Sequence, residues 1–285
     1  MNAVESGTQA GRRLSVPWFL AVVVVYLGII QGVGLLLHVD TGGESTPFPT
    51  AEALVRHALI PIGLSIVFAA GVVTWLGWWG VVLHYRAPVR RWVRLVPVSM
   101  LLVALVALNY GHLAEQPASL VAGLLVLGLF VGVGEELMFR GLGVHVFHRA
   151  GFTEGKVALY SSLVFGLAHI TNAINQGPQA IAQAVIVSTS GYLFYLCLRV
   201  GGTILLPMLV HGLWDTSLFS GLVGTEPEAS ATVGLIIVLQ VVLIIVLVVR
   251  RRSIEPAVGP RAGAVTQPQE ANRSPRADDG DHSLT

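Results

Sequence analysis

Charged residues are scarce in this chain of 285 residues. Asp, Glu, Lys and Arg make up 12% of the sequence, whereas 54% of the residues are hydrophobic. Soluble globular proteins carry roughly 25% charged residues, so the composition excludes an ordinary soluble enzyme and predicts a protein that crosses the membrane several times. The formal net charge of +1 is uninformative as a sum, because charge placement matters more in membrane proteins. We expect no nucleic-acid partner.

Cysteine is almost absent, and two further patterns are missing. The single cysteine, Cys197, lies in an apolar run, which excludes an internal disulfide and any zinc site built from several cysteines. The His-Glu-x-x-His pattern of many zinc proteases does not occur. No internal repeat is evident, and this argues against an inverted-repeat transporter.

Long apolar runs dominate the sequence instead. A helix needs about 17 to 25 apolar residues to cross the hydrocarbon core, and eight runs approach or reach this length. They lie near residues 16–38, 58–83, 95–111, 119–140, 157–171, 179–198, 202–219 and 231–250. The sequence therefore predicts an all-α, polytopic membrane helix bundle with about eight transmembrane helices.

The basic residues alternate with these runs in a consistent way. If the amino terminus is cytoplasmic, nearly all basic loop residues also fall on the cytoplasmic side, and only Arg56 falls opposite. The positive-inside rule then places both termini in the cytoplasm. Arg supplies 16 of the 17 basic residues, a bias typical of GC-rich bacterial genomes, so we expect a bacterial cytoplasmic membrane.

The two ends of the chain differ from the apolar centre. Residues 1–14 and 253–285 lack apolar periodicity, and the second segment is rich in Pro, Ala, Gly, Asp and Arg. Such segments cannot bury enough apolar surface to fold. We therefore predict disordered ends that flank a transmembrane helical domain at 15–252.

Two adjacent acids stand at the end of the apolar run 120–133. Glu135 and Glu136 are followed by Arg140, and ionisable groups within a membrane cost about 2.5–3.5 kcal/mol each on insertion scales, so they normally mark function. Residues four apart share a helix face, whereas adjacent residues point about 100° apart. We predict that Glu136 pairs structurally with Arg140 and that Glu135 faces elsewhere as a base. The alternative places both acids at the cytoplasmic interface.

Glycine recurs in the run that precedes these acids. Gly128 and Gly132 are four residues apart, a spacing that permits close approach of a neighbouring helix. We expect this helix to pack tightly, although glycine is also generally abundant in membrane helices.

Two imidazoles lie within apolar runs. Phe165 precedes His169 by four positions, and His211 precedes Asp215 by four. A lone histidine in a membrane helix is often only hydrogen-bonded to another helix. Together with Glu135, however, these side chains can converge in one cavity, because each is costly in lipid and each can satisfy another.

Depth in the membrane provides a check on that convergence. At about 1.5 Å per residue, His169 and His211 lie roughly 18 and 13 Å from the cytoplasmic ends of their helices, but Glu135 lies only about 8 Å from Arg140. Agreement requires the helix to continue through about His148. We predict that it does, because residues 141–148 contain no proline.

Glu-Glu-x-x-x-Arg, Phe-x-x-x-His and His-x-x-x-Asp, in this order, resemble the motifs of a protease family. They occur here at residues 135–140, 165–169 and 211–215. The family is that of the CAAX prenyl endopeptidases and bacteriocin-processing intramembrane proteases, also called CPBP or Abi proteins. The resemblance covers roughly residues 119–220, which would form the catalytic core. The flanking runs match only in being apolar.

The resemblance implies hydrolysis of a peptide bond within the membrane, close to its cytoplasmic side. Glu135 would be the general base and His169 would help to orient the attacking water. His211 with Asp215 would line the site of the oxyanion. Structural support would come from Glu136, Arg140 and Phe165.

The sequence departs from the prenyl endopeptidase branch at Asp215, where that branch carries asparagine. An ionised aspartate would repel a forming oxyanion. We expect Asp215 either to be protonated or, by preference, to orient His211.

Zinc is a possible cofactor, since family members are often labelled metalloproteases. Glu135, His169 and His211 could form a zinc site with one open position. The same residues suffice for a metal-free mechanism based on Glu135, and we favour that mechanism with no cofactor.

The partners implied are the lipid bilayer and a membrane-associated peptide or protein substrate. For a bacterial source, a bacteriocin precursor or a role in bacteriocin self-immunity is more plausible than a prenylated substrate. Two alternatives stay open: a non-catalytic binding or immunity protein on the same fold, and a proton-coupled transporter with Glu135 as the relay.

Overall fold

The computed structural model describes residues 12–38, 46–228, 230 and 232–255, and this part of the chain is helical. In it, β-structure is limited to isolated bridges between Phe48 and Val223 and between His84 and Thr203. The long helices are α1 (Val16–Leu36), α2 (Ala51–Leu76), α3 (Leu95–Ala107), α4 (Ala118–Arg149), α5 (Glu154–Ala168), α6 (Gln179–Gly201), α7 (Leu205–Phe219) and α8 (Val233–Val249). Shorter helical turns connect or follow them at Trp79–Leu83, Arg91–Arg94, Tyr110–Glu115, His169–Asn172, Ala173–Gln176 and Arg251–Ser253.

Four helices are long and apolar enough to cross a membrane: α1, α2, α4 and α6. Helix α8 is apolar but has 17 residues, and α3, α5 and α7 have 13, 15 and 15. The outer surface carries large apolar side chains that are more than half exposed, among them Val24, Val67, Leu102, Leu129 and Ile237. An apolar surface of this extent fits a lipid environment. The chain is an all-helical, multi-pass membrane protein with four candidate spans.

Several helix ends differ from the apolar runs because local residues set them. Helix α2 begins at Ala51, ahead of the run, since the Thr50 hydroxyl accepts a hydrogen bond from the Ala53 amide at 3.1 Å. It ends before Gly77, whose φ of 71° suits glycine. Helix α3 ends at Ala107, four residues before the end of its run.

Helix α4 continues to Arg149, as predicted from the absence of proline. Its length is about 48 Å at 1.5 Å per residue, which places Glu135 near its middle. A π-helical turn, Leu137–Gly143, directly follows the two acids, and such turns often occur at functional sites.

Helices α4 and α7 approach each other closely, as the glycine spacing predicted. A Cβ atom on Gly128 would lie 2.6 Å from the Gly212 carbonyl oxygen and would also overlap Thr216. A Cβ atom on Gly132 would overlap the Met208 carbonyl. The two acids of α4 are thereby brought directly against α7.

The amino-terminal segment predicted to be disordered, 1–14, lies mostly outside the described residues. Its described part contacts the bundle: Nη1 of Arg12 donates to the Trp75 carbonyl at 2.8 Å, and Leu14 is buried. This part therefore packs against the bundle, contrary to the prediction.

The carboxyl-terminal segment, predicted to be disordered from 253, also contacts the bundle in its described part, residues 253–255. Arg199 contacts both carboxylate oxygens of Glu255, at 2.7 and 2.8 Å. The Arg90 amide donates to the Ile254 carbonyl at 2.9 Å. Residues 254 and 255 thus bind to the bundle. Residues 256–285 lie outside the described residues.

Candidate active site

The imidazole of His211 lies between two carboxylates of α4. Its Nδ1 donates to Glu136 Oε1 at 2.8 Å, and its Nε2 lies 3.7 Å from Glu135 Oε2. Both acids contact this one ring because α7 approaches α4 closely, although Glu136 also pairs with Arg140 and Glu135 lines a cavity. Nε2 of His211 also lies 3.6 Å from Asp215 Oδ2. Glu136, rather than Asp215, accepts the hydrogen bond that fixes the ring.

The predicted pair of Glu136 and Arg140 is present and completely buried. Glu136 Oε1 lies 3.0 Å from Arg140 Nη1, and both side chains have no exposed surface. Arg140 Nη2 donates to the Gly191 carbonyl of α6 at 2.8 Å. The guanidinium carbon stands 4.2 Å from the centre of the Phe165 ring. This cation thus joins α4, α5 and α6 behind the acids.

Phe165 contacts both imidazoles of the site. Its ring centre lies 5.0 Å from that of His169 and 5.7 Å from that of His211, edge to face in each case. It is buried. Phe165 therefore separates the two imidazoles while packing against each, which agrees with a supporting role.

His169 is placed by the end of α5. It is the first residue of the 3₁₀ turn that follows the helix, and its Nδ1 lies 3.0 Å from the Phe165 carbonyl oxygen. Because a carbonyl only accepts, Nδ1 carries the proton and Nε2 of the neutral ring is an acceptor. His169 is thus at a helix end rather than deep within an apolar helix, as the run 157–171 had suggested.

Glu135 and His169 line the same cavity, which has a volume of about 70 Å³. Its wall is completed by residues of α1, α4 and the turn after α5, including Tyr26, Gln31, Phe139, Thr171 and Asn172. The Oε2 atom of Glu135 is buried and has no hydrogen-bond partner among the described residues. A cavity of this volume can hold water.

The motifs did not indicate two aromatic residues of the site. Phe194 of α6 stacks on His211 with ring centres 4.2 Å apart, and Tyr26 of α1 lines the cavity. Phe194 carries no signal that separates it from other apolar residues of its run. Tyr26 does, because Tyr26 and Gln31 are the side chains of α1 that carry a hydroxyl or an amide.

The described residues do not form a metal site. No three His, Cys, Asp or Glu side chains among them converge on one point that would hold an ion. Nδ1 of His211 is held by Glu136 and Nδ1 of His169 by a carbonyl, which leaves Nε2 of each ring as the nitrogen that could bind an ion. Glu135, His169 and His211 do not gather around one point in this arrangement, and we derive no step through a metal.

Fold and site together define a multi-pass helical membrane protein with a buried cluster of acids and imidazoles beside a small cavity. Residues 117–217 match the model of the type II CAAX prenyl endopeptidase Rce1-like family. The match covers 101 of 285 residues and includes all three motifs. It confirms the resemblance to CAAX proteases. Comparison with curated protein sequences finds no significant match.

Proposed function

We propose that this protein is an intramembrane endopeptidase that hydrolyses a peptide bond with a water activated by Glu135. One observation carries the proposal: the side chains of Glu135 and His169 line the same cavity. Both residues lie in the segment that matches a protease family.

Glu135 and His169 provide two acceptors for one water. Nε2 of His169 can accept because Nδ1 donates to the Phe165 carbonyl, and the Glu135 carboxylate lines the same cavity. A water that donates to both presents its lone pairs to a substrate carbonyl. As its oxygen attacks the carbonyl carbon, its proton passes to Glu135, which returns it to the leaving amine when the C–N bond breaks.

His211 would stabilise the negative oxygen of the tetrahedral intermediate. Its Nε2 faces both Glu135 and Asp215, so the proton on this nitrogen can be exchanged with either carboxyl group. In its protonated form the ring donates from Nε2, while Glu136 holds Nδ1. Asp215 would then share this proton rather than orient the ring, and donors fixed in a dry site are effective in such stabilisation.

The topology that we propose has eight crossings, with both termini in the cytoplasm of a bacterial cell. Helices α3, α5 and α7 are short for a crossing, but each packs against longer helices of the bundle. The substrate that we propose is a membrane-associated peptide or protein, with a bacteriocin precursor as one example.

The test is cleavage of a peptide library by the purified protein in detergent. We expect cleavage by the wild type and its loss in the Glu135→Gln, His169→Ala and His211→Ala variants, because each removes an acceptor or donor of the reaction. The matched controls are Glu52→Gln and His84→Ala, which alter exposed residues outside the site and should retain wild-type rates.

Two outcomes would contradict the proposal. Cleavage by Glu135→Gln at the wild-type rate would show that Glu135 is not the general base. Absence of cleavage by a folded wild type would favour the non-catalytic or transporter alternative. Treatment of the active wild type with a chelator in the same assay tests the metal-free mechanism, for which no loss of activity is expected.

A further inference from the structure

A groove of about 370 Å³ lies on the outer surface of the bundle between α5, α6 and α8. It is separate from the candidate active site, since none of its lining residues lines the cavity of Glu135 and His169. Its apolar walls come from α5 and α8: Leu159, Leu163, Ile244, Leu247 and Val248. Leu159 is 52% exposed, so the groove is open to the surroundings of the protein.

The polar side chains on the walls of this groove are satisfied within their own helices. The hydroxyls of Ser162, Ser188 and Thr189 donate to backbone carbonyls three or four residues earlier, at 2.7–2.8 Å. Their protons are therefore not offered to an occupant. Along most of its length the groove presents hydrocarbon, which favours an apolar ligand.

Positive charge is concentrated where α8 ends at the groove. Arg251 lines the groove itself, and Arg250–Arg252 line a wider depression that shares two residues with it. All three arginines are exposed. None of them forms an ion pair within the part of the chain that the structure describes, because the nearby Glu255 is held by Arg199. Their charge is thus available to an anion.

The turn that carries these arginines is fixed to the bundle. The indole N–H of Trp92 donates to the Ser253 carbonyl at 2.8 Å, and the Arg250 guanidinium carbon lies 5.8 Å from the centre of the same ring. The Arg90 amide donates to the Ile254 carbonyl at 2.9 Å. Groups on a fixed turn lose less conformational freedom on binding than groups on a flexible tail. The charge therefore has a set position at the end of the groove.

We propose that the groove binds one anionic phospholipid, with an acyl chain against α5 and α8 and the headgroup phosphate against Arg251. Charge complementarity selects this occupant, since arginine binds phosphate oxygens in pairs and basic residues beside a membrane attract anionic lipids. The inference does not depend on the proposed function. The bound lipid would pack against α5, the helix that carries Phe165 and leads to His169.

Native mass spectrometry of the purified protein in detergent tests the headgroup contact. We expect phosphatidylglycerol to bind more tightly than phosphatidylcholine with the same acyl chains. Arg251→Gln should weaken phosphatidylglycerol binding about fivefold, the contribution of one basic residue near a membrane surface, whereas Arg251→Lys should retain most of the affinity. The control is Arg86→Gln, which removes an exposed arginine that lines neither the groove nor the wider depression and should leave binding unchanged.

Two further arms test the acyl chain. Leu159→Trp fills the groove and should weaken phosphatidylglycerol binding, whereas Leu167→Trp alters another exposed leucine of α5, outside the groove, and should not. Phosphatidylglycerol should raise the thermal unfolding midpoint. Inorganic phosphate alone should raise it less, because it cannot occupy the apolar part of the groove.

Four results would each overturn the proposal. Equal affinity for the two lipids, or wild-type binding by Arg251→Gln, would exclude the phosphate contact. Wild-type binding by Leu159→Trp would show that the groove does not hold the chain. A midpoint raised as much by inorganic phosphate as by phosphatidylglycerol would identify a site for a free anion. A lipid-free dimer in the same mass spectra would show that a second copy of the chain covers the groove.

Discussion

At the scale of the single residue, one oxygen of Glu136 contacts two partners. Its Oε1 accepts from His211 at 2.8 Å and lies 3.0 Å from Arg140 Nη1. The acid thereby neutralises a fully buried cation and fixes the orientation of an imidazole that faces Glu135. Removing one member of a buried ion pair is costly, because it leaves the other charge uncompensated.

We expect Glu136→Gln alone and Arg140→Met alone each to lower the free energy of unfolding by about 3–5 kcal/mol. The double variant should recover part of this loss, because no uncompensated charge remains. Unfolding in detergent, followed by circular dichroism, measures the effect. The control is the exposed pair Glu52 and Arg56, which has the same spacing and the same 3.0 Å distance but should contribute about 0.5 kcal/mol or less. Equal effects of the two pairs would contradict burial as the cause.

At the scale of the secondary-structure element, helix α4 positions the side chains of the site. Its glycines let α7 approach until His211 reaches Glu135 and Glu136. The π-helical turn after the acids contains Arg140, which contacts α5 and α6. One long helix therefore aligns the imidazole, the base and the supporting cation.

Gly128→Ala tests this close approach. The added Cβ would meet the Gly212 carbonyl, part of the α7 backbone, so we expect a loss of about 1–3 kcal/mol in stability together with reduced peptide cleavage. Gly71→Ala is the control, because a Cβ on this glycine of α2 meets nothing within 4 Å. Thermal unfolding and cleavage rates measure both variants. An unaffected Gly128→Ala protein would show that the helices can separate without loss of the site.

Predictions from local spacing succeeded where partners lie on one helix or where a local rule applies. The Glu136–Arg140 pair and the continuation of α4 followed from helical periodicity and from the absence of proline. The contact between His211 and Glu136 could not be derived in this way, since it depends on how closely two helices pack. Tyr26 and Phe194 reach the site from helices that carry none of the three motifs, and no spacing rule relates them to it.

At the scale of the whole molecule, the charges of the loops and the lengths of the helices both concern which helices cross the membrane. Arg86 and Glu115 are exposed and lie on either side of α3, a helix of 13 residues that length alone does not identify as a span. The charge pattern places Arg86 in the cytoplasm and Glu115 on the opposite side. Cys197 is fully buried, so the natural chain offers no reactive thiol to interfere.

We therefore expect a Glu115→Cys variant to react with a membrane-impermeant maleimide in intact cells. An Arg86→Cys variant should react only after permeabilisation, because the reagent cannot reach the cytoplasm. Wild-type protein, with only Cys197, is the control for background labelling, which is measured as a mass shift. Equal labelling of both positions from outside would show that α3 does not cross, and a reversed pattern would invert the topology.

The attachment of residues 253–255 has a practical consequence for truncation of the protein. A version shortened to Val249, where the last apolar helix ends, would lose the Glu255 carboxylate. The Arg199 guanidinium would keep the carbonyls of Ala87 and Pro88 and the more distant Glu154 carboxylate, at 3.7 Å, as partners. A version that stops after Glu255 keeps the carboxylate that balances this buried charge. An ion pair thus holds the described chain against the bundle six residues beyond the end of the last apolar helix.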